Sequence, residues 1–147
     1  MEAMPMTNEI YRARARAIRR AKVQARNEPP RLTAGEELFN TVSHGAGAAL
    51  AAAAMALLLL RSDTSLKIMA SCFYGVSMVL MMVMSSVYHA MRTGSKAKRV
   101  CRRFDYTSIY LLIGGTFAPI LLVYLGGALG ITLFCLQWAV ILTGVTL

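Results

Sequence analysis

The residues of this chain that could do metal-assisted or acid–base chemistry are few, and they recur at helical spacing. Glu36 or Glu37, Asn40, Ser43 or His44, and Gly47 follow one another at steps of three and four, which stacks them on one helix face. Ser85 and His89 are four apart, so a hydroxyl and an imidazole share a face one turn apart. Asp105, Ser108, Leu112, Gly115 or Thr116, and Pro119 form a third stripe, small and polar, along which helices can approach closely. Hydroxyl, imidazole and carboxylate are groups from which a hydrolytic metal site is built. Taken singly, each also has a plain structural reading. A histidine near a membrane surface commonly anchors or hydrogen-bonds, and Asp105 follows Arg102 and Arg103, with which it could pair. Cys101 lies among the same arginines but reads as a bystander thiol, and Met78, Met81, Met82 and Met84 read as packing or lipid-facing surface.

The elements that must position these groups are membrane helices. The chain is 56% hydrophobic and 16% charged, yet carries a formal net charge of +9. The two facts agree once the charge is located: fourteen of the sixteen Lys and Arg lie in residues 12–31 and 92–103. This is the pattern of an all-α integral membrane protein with basic flanks, and it excludes an ordinary soluble domain. Low charge excludes disorder in the apolar parts, and no repeat supports a solenoid. Cys72, Cys101 and Cys135 are odd in number and lack a C-x-x-C spacing, so free thiols are expected. Thr33 to Glu36 fits a capping box that starts a helix. Four spans of about 20 residues are expected, at about 41–60, 68–90, 105–125 and 128–147, each long enough for a hydrocarbon core of roughly 30 Å. Two domains follow, a basic segment over 1–32 and a transmembrane domain over 33–147.

Charge also orients the spans. Eight Lys and Arg precede the first span and six lie between the second and third, against two between the first and second and none between the third and fourth. The rich segments belong in the cytoplasm, so the N-terminus is expected inside, in the cell membrane. Glu36, Glu37, His44, His89 and Asp105 then all fall at cytoplasmic ends of spans, where they could be neighbours. Glu2, Glu9 and the lack of a prompt apolar core argue against a cleaved leader. The run from Tyr11 to Arg20, continued by Lys22 and Arg26, suits a basic helix ended by Pro29 and Pro30. Its expected contacts are anionic lipid headgroups; no aromatic interleaving or base-reading motif points to nucleic acid.

Three motifs, in order and on three consecutive spans, go further. Glu-x-x-Asn-x-x-Ser-His-Gly-x-Gly at 37–47, Ser-x-x-Tyr-His at 85–89, and Arg-Phe-Asp-Tyr-Thr-Ser-Ile-Tyr-Leu-Leu-Ile-Gly-Gly-Thr-Phe-Ala-Pro at 103–119 resemble the hemolysin III branch of the progestin and adipoQ receptor superfamily. The resemblance covers residues 36 to about 125. It implies a seven-helix bundle, of which these spans are the first part, with zinc held by three histidines near the cytoplasmic face and an aspartate that holds a zinc-bound water. On that resemblance His89 matches the first zinc histidine, Asp105 the aspartate, and Ser85 the serine one turn before the histidine. Tyr106 stands where many bacterial members carry His. His44 lies in a family motif that gives it no metal role. The family's remaining two histidines form an H-x-x-x-H pair, and this chain, with His44 and His89 alone, departs from the pattern.

Zinc with three protein ligands keeps a fourth position for water and lowers its pKa towards roughly 7. One histidine cannot do this. The chain is therefore expected to be an N-terminal portion whose complete form is a zinc-dependent hydrolase or receptor-like protein acting on a lipidic amide, inactive and weakly zinc-binding alone. A pore-forming or membrane-disrupting protein would need neither zinc nor Asp105. A small four-helix transporter would need a carboxylate in the middle of a span, and none is there.

Overall fold

The computed structural model describes residues 6–27 and 32–146. All regular structure among them is helical: α1 (Met6–Asn27), α2 (Ala34–Leu60), α3 (Ser65–Ala90), α4 (Lys96–Ala118), a π-helical segment Pro119–Leu125 that continues α4, and α5 (Gly127–Thr146). By contacts the chain divides after Pro30 into two units. The first contains α1, whose described side chains are exposed throughout. The expected ending of this helix at Pro29 and Pro30 lies outside the described residues.

In the second unit, four helices are long and apolar enough to cross a membrane: Ala34–Leu60, Ser65–Ala90, Lys96–Leu125 and Gly127–Thr146. This is an integral membrane architecture, and its many exposed Leu, Ile, Val and Phe side chains are the surface that lipid covers. The capping box at the start of α2 forms. Thr33 N–H donates to Glu36 Oε2 at 2.8 Å, and Glu36 N–H donates to Thr33 Oγ1 at 3.3 Å.

α3 is the central helix, packed against α2, α4 and the π-helical segment. With no hydrophobic drive between helices in lipid, close packing and interhelical hydrogen bonds must hold them. The sequence answers with small residues. Ala70, Ser71, Gly75, Ser77 and Ser85 are buried on α3, and Ser108, Gly114, Gly115 and Ala118 on α4. At Gly115 the two backbones approach so closely that a Cβ would stand 2.5 Å from the Phe73 carbonyl oxygen. α5 is joined by an aromatic cluster, with Phe73 5.3 Å from Phe134 and 5.5 Å from Trp138 between ring centroids.

One helix boundary differs from the sequence expectation, and one helix changes geometry within its expected span, each for a physical reason. α4 starts at Lys96, well before residue 105, because Ser95 caps it: its hydroxyl accepts the Lys98 N–H at 3.0 Å. At the other end Pro119 has no N–H to donate, and the chain widens into π geometry, with the Gly126 N–H on the Leu121 carbonyl at 3.1 Å. Gly126 and Gly127 then turn the chain at φ of 61° and 59°, a region that costs other residues strain.

Candidate functional site

The polar residues meet at the end of the bundle formed by the start of α2, the end of α3 and the start of α4. Register decides which carboxylate is available. Glu36 is spent on the cap of α2, which leaves Glu37, one residue on, to face α3. Its Oε2 lies 2.8 Å from His89 Nδ1, and its Oε1 accepts from Lys98 Nζ at 2.5 Å. One carboxylate thus ties together three helices across sequence separations of 52 and 61 residues.

Lys98 is fully buried. Its ammonium also donates to the Met91 carbonyl at 3.2 Å, at the C-cap of α3, and stands 4.8 Å over the Tyr88 ring. The ammonium and the carboxylate neutralise each other, which burial demands. An ionised Glu37 can only accept, so the proton on the hydrogen bond to His89 belongs to Nδ1, and whenever the ring is neutral the lone pair is on Nε2. His44 is fixed likewise: its Nδ1 lies 2.7 Å from the Asn40 carbonyl, which can only accept. The two imidazoles stack with centroids 5.8 Å apart. Ser43, the alternative to His44 on this face, is exposed and hydrogen-bonds back to Asn40.

The residues expected from sequence are placed as follows. His89 is half-buried within this cluster. Ser85 is buried on α3 one turn earlier. Its neighbour Ser86 makes the cross-helix bond, its hydroxyl donating to the Thr41 carbonyl of α2 at 2.8 Å. Asp105 is half-buried on α4, and its backbone carbonyl accepts the Ser108 hydroxyl at 2.6 Å. The carboxylate hydrogen-bonded to His89 is Glu37, while the Asp105 hydrogen bond stays within α4. Lys98 escaped sequence reading altogether, although a signal exists. Stepping back four and then seven residues from Asp105 gives Cys101 and Lys98, so the stripe that continues through Ser108 and Gly115 begins at the lysine.

A histidine whose Nδ1–H is held by a carboxylate is oriented as metal-ligating histidines are, with Nε2 left for the ion. Zinc needs three or four such donors, and among the described residues no group of three or more His, Cys, Asp and Glu is placed to hold a metal ion. The donors among the described residues therefore do not make a zinc site. An apolar cleft of about 360 Å³ lined by Met69, Phe73, Val76, Leu80, Leu111 and Trp138 among others lies along α3 away from the polar cluster.

A family model described as "Haemolysin-III related" matches residues 32–147. The chain is 35% identical over 113 residues to "Hemolysin-3" of Bacillus cereus, covering 75% of this chain and 51% of that protein. It is 34% identical over 116 residues to "Hemolysin-3 homolog" of Bacillus subtilis (strain 168), covering 77% and 54%. The chain thus spans about half the length of these curated relatives. No solved structure matches it. The motifs on α2, α3 and α4, the four spans and these matches agree: the chain belongs to the haemolysin III family.

Proposed function

We propose that this chain carries one part of a zinc-dependent hydrolase or receptor-like site for lipidic amides in the cell membrane. In a complete form His89 would supply the first metal ligand, Asp105 would hold the water on the metal, and Ser85, one turn before the histidine, would belong to the catalytic group. The observation that carries this reading is the clasp on His89: a carboxylate held by a buried lysine fixes the ring with Nε2 as its lone-pair nitrogen. The remaining zinc donors must come from outside the described residues. The Lys and Arg distribution supports an N-terminus in the cytoplasm, with the polar cluster on that side.

The test is metal content. This chain, purified in detergent, should lose any zinc to a mild chelator wash and show no turnover of an N-acylated lipid. A longer form that adds an H-x-x-x-H helix should retain one zinc and hydrolyse it, and His89→Ala should abolish both. Stoichiometric zinc surviving the wash in this chain alone would overturn the ligand count. The name of the relatives, hemolysin, favours a second reading, a membrane-disrupting protein. Dye leakage from vesicles that is insensitive to chelator and to Asp105→Asn would establish that reading instead. For orientation, an impermeant thiol reagent added outside intact cells should miss Cys101.

A further inference from the structure

Helix α1 belongs to the first unit, and its pattern is not that of a uniformly solvated arm. Ile10, Ala13, Ala17 and Ala21 recur at steps of three and four and form one line along it. Arg12, Arg16 and Arg19 lie on the other side. Three residues break the division. Arg14 and Arg20 sit beside the apolar line, where their long stems can lie along the surface while the guanidinium groups reach outward, and Val23 sits among the basic residues. Among the described residues Ile10 is 58% exposed, and Tyr11 and Ile18 beside the line are 69% and 50% exposed. From residue 9 to residue 23 there are six basic side chains against one acid, Glu9.

We propose that α1 lies in the plane of the membrane surface as an interfacial helix, its apolar line in the headgroup boundary and its arginines on anionic lipid phosphates. Two facts choose this occupant. The six residues 28–33 join α1 to the cap of the first membrane span, so a bilayer surface is within about 20 Å of it whatever else is bound. The excess of arginine is complementary to anionic headgroups. The apolar line is mostly alanine, too small a surface to hold the helix down alone, so attachment requires both contributions. It must therefore fail in a zwitterionic bilayer and weaken with salt, because screening shortens the reach of each charge from about 10 Å at 0.1 M to about 3 Å at 1 M.

The experiment uses the full chain in vesicles, with Cys72, Cys101 and Cys135 replaced by Ala and one nitroxide label at a time. Ile10→Cys and Ala17→Cys report the apolar line. Ala15→Cys reports the opposite side without removing a charge. In vesicles containing phosphatidylglycerol, labels at 10 and 17 should collide severalfold more with oxygen than with a water-soluble nickel chelate, and the label at 15 should show the reverse. That contrast should vanish in pure phosphatidylcholine, at 1 M salt, and in Arg12→Gln/Arg16→Gln/Arg19→Gln with the label at 17. Equal water exposure of all three labels in anionic vesicles would overturn the proposal. So would a contrast of the same size in phosphatidylcholine, or immobilisation of the labels by added polynucleotide with no response to lipid.

Discussion

Among the described residues the two ends of the bundle each hold one lysine–carboxylate pair, and the pairs could hardly differ more. At the start of α2, Glu37 meets Lys98 across 61 residues of sequence, with the lysine side chain 0% and the carboxylate 13% exposed. At the opposite end, Asp63 meets Lys67 at 2.7 Å within one turn, with side chains 69% and 44% exposed. The same two functional groups thus do different jobs. The local pair decorates the loop between α2 and α3 and is shared with water. The distant pair closes three helices, and its carboxylate holds a histidine with its second oxygen. Distance in sequence, burial and a third partner separate a site from a surface contact, and composition alone registers none of them.

The largest effect that would break this comparison is removal of one buried partner. Glu37→Ala leaves the Lys98 ammonium without a counter-charge in a site from which water is excluded, which costs about 3–5 kcal/mol. Unfolding of the detergent-solubilised chain, titrated with a denaturing detergent, should show that loss. Glu37→Leu/Lys98→Met, which removes both charges and keeps apolar bulk, should recover most of it. In both variants His89 Nδ1 has lost its Glu37 acceptor, so the ring nitrogens should report a mixed tautomer by ¹⁵N NMR in each, while stability alone separates the two. A double variant as unstable as the single one would show that the clasp is held by something other than charge pairing.

Much of this architecture was legible in the sequence, because the periods that encode it are local. The four spans, the Thr33–Glu36 box and the small-residue stripes on α3 and α4 all rest on spacings of three, four or about twenty residues. What local spacing could not supply was pairing across helices. The choice between Glu36 and Glu37 turned on which one the cap consumes, and the partner of His89 lay 52 residues away. Residues 92–103 read as a solvated basic loop because six cations in twelve residues normally seek water. Yet one of them, Lys98, is the most buried charge in the bundle, since Ser95 starts a helix there and turns it toward Glu37.

The next effect concerns the helix contact that lets the clasp close. Gly115→Ala would place a methyl 2.5 Å from a backbone carbonyl of α3. Backbone cannot move aside as a flexible side chain can, so α4 must shift outward at about 1–3 kcal/mol. Gly45→Ala is the control at the clasp end, because its methyl meets only Ser86 Oγ, at 3.4 Å. The first should lower the midpoint clearly and the second far less. Equal losses would mean that α3 and α4 are not pressed together at Gly115. Smaller again is the cap. Thr33→Ala removes the hydroxyl that accepts the Glu36 N–H and should cost about 1 kcal/mol, read as a small drop in midpoint with the His89 signals unchanged.

The smallest effect belongs to the exposed pair and sharpens the contrast from the other side. The hydrogen bond from the Lys67 ammonium, aided by its charge, holds the Asp63 carboxyl below its ordinary value. A depressed carboxylate pKa in the folded state favours folding at pH values above the unfolded pKa, near 4, and that contribution disappears as pH falls through the folded value. The sign is therefore a loss towards acid. Asp63 is fully exposed, however, so water and salt screen the interaction, and a pair of this kind within one turn contributes little. Unfolding midpoints of Asp63→Asn and the parent chain, followed from neutral pH down through the carboxylate range, should superimpose within error, at high salt as at low. A clear divergence that grows towards neutral pH and disappears with salt would show that the exposed pair also supports the fold, and would erase the distinction between the two ends.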